Sequence, residues 1–445
     1  MLVSVEHGFA WFEAFTNLEK GRHVPRHYRL DRMRALLAAF DHPHRGIRAI
    51  HIAGSKGKGS TAAFLQSILT AAAYRVGGYY SPHVTSYRER FVLSPHPATD
   101  STLLELMRQI ERHVRHAMAA DPTAEPTTFE LLTLLAFLLF RDAQLDWVVL
   151  ETGLGGRLDA TNVVTPVASV ITPIELEHTE YLGNTIPDIA AEKAGIIKQG
   201  VPLFISRQQP EALETIVREA SRLGCPLWQF SAEVRDMITE GNAADFTLAR
   251  HNEHFAVELL LSGEHQARNA ALAAGVAREL LPQLSHAAIE DGLRQAWLPG
   301  RLERVGEAPA CYLDGAHTTD SARAVVEAFG ALTGEPRVLL FGSAVGKDVA
   351  ALARVLAPHF AAVVVTRAGT FKPADPATAV AAFKALGIDA HLQPDPAAAL
   401  QLARTLAGPD GSVLVTGSFY TVGAVRALWP SLAAANGGQE SGSGV

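Results

Sequence analysis

The chain has 445 residues, enough for two or three domains with substantial cores. Its 48% hydrophobic and 19% charged content excludes a disordered or fibrous chain, and a net charge of -7 gives no reason to expect nucleic acid as a partner. Two cysteines, Cys225 and Cys311, stand far apart outside any C-x-x-C pair, which argues against a disulfide scaffold or zinc site and suits a reducing, cytoplasmic setting.

The first fifteen residues carry Glu6, His7 and Glu13 and no basic stretch, so no signal peptide is expected. Residues 1–20 read as a helix (Phe9, Trp11, Phe12, Phe15, Leu18), and Arg29 to Phe40 as another with Leu30, Met33, Leu36 and Leu37 inward. From Ala49 to Thr61 an apolar strand breaks into alternating glycines and cations and resumes as a helix that runs to Ala73. Such a turn points backbone N–H groups and a helix N-terminus at an anion, and Lys58 adds a full charge. The strict P-loop pattern is not met, because Ile52 stands where its first glycine belongs and Gly59 follows the lysine. A variant phosphate loop and a plain glycine turn are the two readings.

Val76 to Tyr80 reads as a strand stopped at Ser81-Pro82-His83, and Thr85 to Arg90 as a solvated loop or a flap near a charged substrate. Ser101 to Met118 is an amphipathic helix, and Thr127 or Thr128 caps the next one, whose apolar run Leu131 to Phe140 is too short to span a bilayer. Asp146 to Glu151 is a buried strand with a carboxylate at its tip, followed by a glycine-rich run to Asp159. Downstream of a phosphate loop, that carboxylate is placed as a magnesium ligand would be, with an ordinary strand-end glutamate as the alternative.

Ala168 to Thr172 is the next strand, and His178 lies just past its tip. A helix over Ile186 to Ile197 carries Glu192 and Lys193. Val201 to Ser206 and Pro226 to Phe230 read as strands flanking a helix, residues 234 to 262 as hairpins, and Gly263 to Leu281 as a helix with His265, Gln266, Arg268 and Asn269 near its start. A boundary is expected near Pro299-Gly300-Arg301. Beyond it five strands alternate with helices, Asp314 sits at a strand tip before His317, and Asn436 to Val445 forms a Gly/Ser-rich tail expected to be disordered.

Several of these stretches occur together in a known order: His51-Ile52-Ala53-Gly54 with Gly57-Lys58-Gly59-Ser60, Tyr80-Ser81-Pro82-His83 with Arg88-Glu89-Arg90, and Glu151-Thr152-Gly153-Leu154-Gly155-Gly156-Arg157 through Asn162. His178-Thr179-Glu180, Glu192-Lys193-Ala194-Gly195, His265-Gln266 with Asn269, Pro299-Gly300-Arg301-Leu302-Glu303, Asp314-Gly315-Ala316-His317 and Thr416-Gly417-Ser418 follow. From about Asn17 to about Leu428 the chain resembles the folylpolyglutamate synthase/dihydrofolate synthase family of the Mur-ligase superfamily.

The resemblance implies an α/β architecture, with a P-loop-type Mur-ligase central domain (residues 1–298), a smaller Rossmann-like C-terminal domain (299–434) and a tail (435–445). It implies ligation: a pteroate or folate carboxylate takes the γ-phosphoryl group of ATP, and the amine of L-glutamate displaces phosphate from the acyl phosphate. It implies that Gly54, Ser55, Lys56, Gly57, Lys58, Gly59 and Ser60 hold the phosphates. Ser81, Glu151 and His178 would ligate magnesium. Lys193 would be carbamylated, with a second magnesium as one use for the carbamate. Asn269 and Arg301 would contact base and phosphate, and Asp314 and His317 would close over the nucleotide. Lys58, Lys193 and His178 are the expected catalytic groups, and a monomer with no membrane or nucleic-acid partner is expected. Ser55-Lys56 stands where the family has Thr-Asn, Glu177 where it has aspartate, Thr318-Thr319 where bacterial members have Asn-Pro, and Gly346 in place of an aspartate. Another Mur-type ligase and a non-ligating nucleotide-binding regulator are the competing readings.

Overall fold

The computed structural model describes residues 1–17, 30–230, 234–369 and 375–437. The first sheet has seven strands in the order Phe91–Ser94, Val76–Tyr79, Trp147–Glu151, Ala49–Ala53, Ala168–Ile171, Leu203–Ile205, Leu227–Gln229. All neighbours pair in parallel except Phe91–Ser94, which runs antiparallel to Val76–Tyr79. Every residue of Ala49–Ala53 and Trp147–Glu151 is buried, as parallel strands covered on both faces must be. One face carries Lys58–Ala71 against Glu264–Leu280 and His286–Gln295. The other carries Val5–Glu13, Leu30–Ala38, Asp100–Ala120 and Thr128–Asp142.

Chain order reverses on either side of Ala49–Ala53, whose neighbours in the sheet are Trp147–Glu151 and Ala168–Ile171. In open α/β sheets ligands bind outside the carboxyl ends of the strands at such a switch point. The loops at Gly54, Glu151 and Thr172 leave the sheet together at that edge.

A three-stranded antiparallel sheet (Val234–Glu240, Ala243–Leu248, Glu253–Glu258) follows. The third sheet has six strands in the order Glu303–Glu307, Ala310–Leu313, Ser412–Thr416, Arg337–Phe341, Ala362–Val365, Asp389–Leu392, parallel but for the first. No helix among the described residues is long and apolar enough to cross a membrane.

Several boundaries differ from expectation. The first helix covers Val5–Glu13 only, and Leu18 and Arg29 lie outside the described residues. The loop helix begins at Lys58, three residues early. The segment Thr85 to Arg90 is not a solvated loop: Tyr87–Arg90 forms a 3-10 turn with a capping box at Ser86 and Glu89, and Arg90 is fully buried. The last helix runs Phe419–Gly437, into the stretch expected as a tail, and residues 438–445 lie outside the described residues.

Candidate active site

The glycine turn is fixed by its neighbours. Ser55 N–H and Lys56 N–H both donate to Pro173 O, at 2.8 and 3.3 Å, and Ser55 Oγ exchanges hydrogen bonds with the Glu175 backbone. Those two amides are therefore committed. The donors left to an anion are the first-turn N–H groups of Gly57 to Ser60, which no helix satisfies internally. Gly57 caps that helix at φ 82°, a left-handed conformation, and a Cβ there would meet Asn269 Oδ1 at 2.5 Å. Gly54 has φ 152° and no room for a side chain, since a Cβ would lie 1.8 Å from Thr172 Oγ1. Gly54→Ala is expected to cost about 1–3 kcal/mol through overpacking, read as a lower denaturant midpoint.

Two lysines converge on one carbonyl. Lys58 Nζ donates to Gly54 O at 2.9 Å, and Lys193 Nζ donates to the same oxygen at 2.8 Å and to Glu177 Oε1 at 2.9 Å. Lys193 is 1% exposed, and burial pulls its pKa down to about 8 although Glu177 beside it opposes the shift. Burial would raise the Glu177 carboxyl, but Lys193 and Lys58 outweigh it and hold that group at about 2. Burial also lowers the Lys56 ammonium, against the pull of Glu177 and Glu175.

Glu151 is 5% exposed at its strand tip, and its Oε2 accepts the Ser81 N–H at 3.0 Å. Burial raises its pKa, while Lys58, the Ser81 amide, Arg301 and Arg90 favour the carboxylate. A Cβ at Gly59 would stand 3.3 and 3.5 Å from its two oxygens, so the bare glycine leaves open the space in front of the carboxylate. His178 stands on the loop after the neighbouring strand, exposed, on left-handed backbone at φ 46°, with Glu177, Lys58 and Lys193 around it. Ser81 and Glu151 are thus brought together at one edge, and Glu151 and His178 both feel the charge of Lys58. No cluster of three His, Cys, Asp or Glu side chains able to hold a metal occurs among the described residues, so the expected set depends on Ser81.

A cavity of about 220 Å³ opens beside the turn, lined by Lys56, Gly57, His265, Arg268, Asn269 and Phe230 among others. Asn269 is 7% exposed and donates to Gln266 Oε1 at 3.1 Å. A narrower cleft, lined by Gly59, Ser81, Glu89, Glu151, Arg301 and Phe419, runs between the two large lobes. The Arg301 guanidinium lies over the Phe419 ring at 4.7 Å.

Asp314 has its oxygens occupied by the backbone: Oδ2 accepts Leu302 N–H at 2.9 Å and Oδ1 accepts Ala316 N–H at 2.8 Å. In this conformation it pins the linker after Arg301 to the strand tip. His317 Nδ1 lies 2.9 Å from Gly315 O, which assigns the proton to Nδ1 and leaves Nε2 as an acceptor. Burial lowers its pKa to about 3, with Lys347, Lys56 and Arg301 reinforcing, so the ring is neutral. Sequence reasoning did not single out Thr172, whose hydroxyl abuts Gly54, or Glu175, whose charge favours the Lys56 ammonium.

Two family models match: the Mur ligase middle domain over residues 52–277 and the Mur ligase glutamate ligase domain over residues 300–419. The dihydrofolate synthase/folylpolyglutamate synthase of Bacillus subtilis (strain 168) is 36% identical over 413 residues, spanning 89% of this chain and 94% of that protein. Crystal structures of Mycobacterium tuberculosis folylpolyglutamate synthase complexed with ADP and AMPPCP superpose with a TM-score of 0.82 at 32% identity, covering 90% of this chain and 95% of that one. An FPGS–AMPPCP–folate complex gives 0.80 at 29%, covering 95% and 99%. Matched by both domain models and by these relatives along most of its length, the chain belongs to the folylpolyglutamate synthase/dihydrofolate synthase branch of the Mur ligase family.

Proposed function

We propose that this protein is an ATP-dependent ligase that joins L-glutamate to a pteroate or folate carboxylate, acting as dihydrofolate synthase, folylpolyglutamate synthase or both. The carboxylate oxygen bonds to the γ-phosphorus and ADP leaves. The glutamate amine then attacks the acyl carbon, loses a proton and expels phosphate. A carboxylate anion repels a triphosphate, so catalysis is mainly neutralisation and positioning. The observation that carries this proposal is the buried Glu151 at the sheet's switch point, beside the space left by Gly59 and within the field of Lys58 and Arg301.

A desolvated carboxylate with open space before it fits a divalent cation, and Ser81, Glu151 and His178 are the residues we assign to Mg2+. When bound, that ion would screen the phosphate charge. The amides of Gly57 to Ser60 and the Lys58 ammonium would orient the phosphates, with Ser55 and Lys56 shaping the turn. Asn269 would border the base, and Arg301 and His317 would reach the nucleotide from the other lobe. Burial that lowers the Lys193 ammonium favours the free amine, the form that takes up carbon dioxide, and we read Lys193 as carbamylated on that amine. An anionic carbamate beside Glu177 requires a cation between them, which is the place for a second Mg2+. We place the lobe boundary between Leu298 and Pro299, and take the protein as a cytoplasmic monomer acting on small molecules, without nucleic-acid or membrane partners.

The test is a substrate panel of dihydropteroate, tetrahydrofolate and its one-carbon forms, each with glutamate and ATP–Mg. ADP release is expected only when acceptor and glutamate are both present. Equal release without either would overturn the ligase reading, and release only with a non-folate acceptor would overturn the substrate class.

A further inference from the structure

The loop from Ser81 to Arg90 is held by both lobes. On the first lobe, Tyr87 Oη donates to Glu13 Oε1 at 2.6 Å and Arg88 pairs with Glu6 at 2.7 Å. Inside the loop, one carboxylate organises three amides: Glu89 accepts Val84 N–H at 2.7 Å, Thr85 N–H at 3.1 Å and Ser86 N–H at 3.2 Å. Tyr80 N–H donates to Arg90 O at 3.0 Å, and Ser81 N–H reaches Glu151. A shift of Glu89 would thus be felt by the backbone that presents Ser81.

Arg426, on the last helix of the second lobe, grips that same carboxylate. Its Nη1 lies 3.3 Å from Glu89 Oε1 and 3.4 Å from Thr85 Oγ1. Its Nε lies 3.0 Å from both oxygens of Glu303, which also accepts the Gly300 N–H of the linker at 2.9 Å. The guanidinium sits 5.6 Å from the Trp297 ring, just before that linker in the chain. One planar fork therefore bridges two carboxylates on separate segments, which would otherwise repel each other and which a lysine ammonium cannot span in the same way. One turn away the contact is backbone to backbone: a Cβ at Gly423 would stand 2.2 Å from Val84 O.

We propose that Arg426 is a positioning residue that couples the second lobe, through Glu89, to the loop presenting Ser81 beside Glu151. Its consequence for catalysis rests on the ligase reading above, while its consequence for the loop does not. In Arg426→Ala, amide exchange at Val84, Thr85 and Ser86 is expected to quicken about tenfold, because the carboxylate holding those amides loses its cross-lobe partner. The Mg2+ concentration for half-maximal ADP release is expected to rise severalfold in the same variant. Arg426→Lys should recover part of both effects. Gly423→Ala should act in the same direction while removing no charge, since it drives helix and loop apart. Unchanged exchange at residues 84–86 in Arg426→Ala and Gly423→Ala, with only a lower melting temperature, would overturn the proposal. Faster exchange with an unaltered Mg2+ requirement would overturn the coupling to Ser81 and Glu151. If the wild-type protein releases no ADP with any folate and glutamate, the ligase reading fails on its own, and the exchange result still decides whether Arg426 holds the loop.

Discussion

Lys58→Ala is expected to reduce ATP-dependent ligation by about a thousandfold or more while leaving the fold in place. The residue opens the helix Lys58–Ala71 with a partly exposed side chain, so its truncation removes little core. Electrostatically the position is central. Glu151, Glu177, His178 and Lys193 all feel its charge, and its ammonium is held 2.9 Å from Gly54 O at the mouth of the turn. A unit charge about 4 Å from another is worth about 4 kcal/mol at an effective dielectric of about 20. That converts to roughly three orders of magnitude in rate if the contact tightens as charge builds on the transferring phosphoryl group. Steady-state ADP release with acceptor and glutamate measures the loss, and a circular-dichroism melt shows that the chain still folds. Turnover near the wild-type rate would mean that the turn has some other task.

What the sequence made legible was local. A glycine-and-cation turn after a strand, and acids at strand tips, are written within a few residues of one another. The lobes follow from strand and helix periodicities that need no long-range knowledge. The missed elements are those whose reasons lie elsewhere in the chain. Phe91–Ser94 and Glu303–Glu307 are antiparallel edge strands, and the second has no buried residue to mark it. In sequence Arg90 reads as a solvated cation among charged neighbours, yet it is buried and donates to His83 Nδ1 at 3.0 Å. The residue pattern places Asp314 at a strand tip, but the backbone donors that occupy its oxygens, Leu302 N–H and Ala316 N–H, do not show in such a pattern. Arg426 meets a carboxylate 337 residues away, a distance over which no motif operates.

Lys193→Ala is the second large expectation, and it separates two jobs for one side chain. Removing a buried ammonium leaves Glu177 without its nearest cation, and breaking a buried pair from one side costs about 3–5 kcal/mol. A fall in melting temperature is therefore expected in buffer freed of carbon dioxide, where Lys193 is an ammonium. The double variant Lys193→Ala/Glu177→Gln removes both charges and should recover most of that stability. Ligation should not recover with it. We expect a loss of about a hundredfold or more in both variants, because the side chain lies against the same Gly54 carbonyl as Lys58, where we propose that the transferred phosphate is held. The form of the side chain then decides what rescues it. If Lys193 works as a carbamate, acetate or formate should restore part of the activity of Lys193→Ala, and the wild-type protein in labelled bicarbonate should show a carbamate carbon by NMR. Rescue by a small alkylamine and not by carboxylates would assign the role to the ammonium and overturn the carbamate. Full activity in the single variant would instead confine Lys193 to pairing with Glu177 and tying the helix Ile186–Ala194 to the turn.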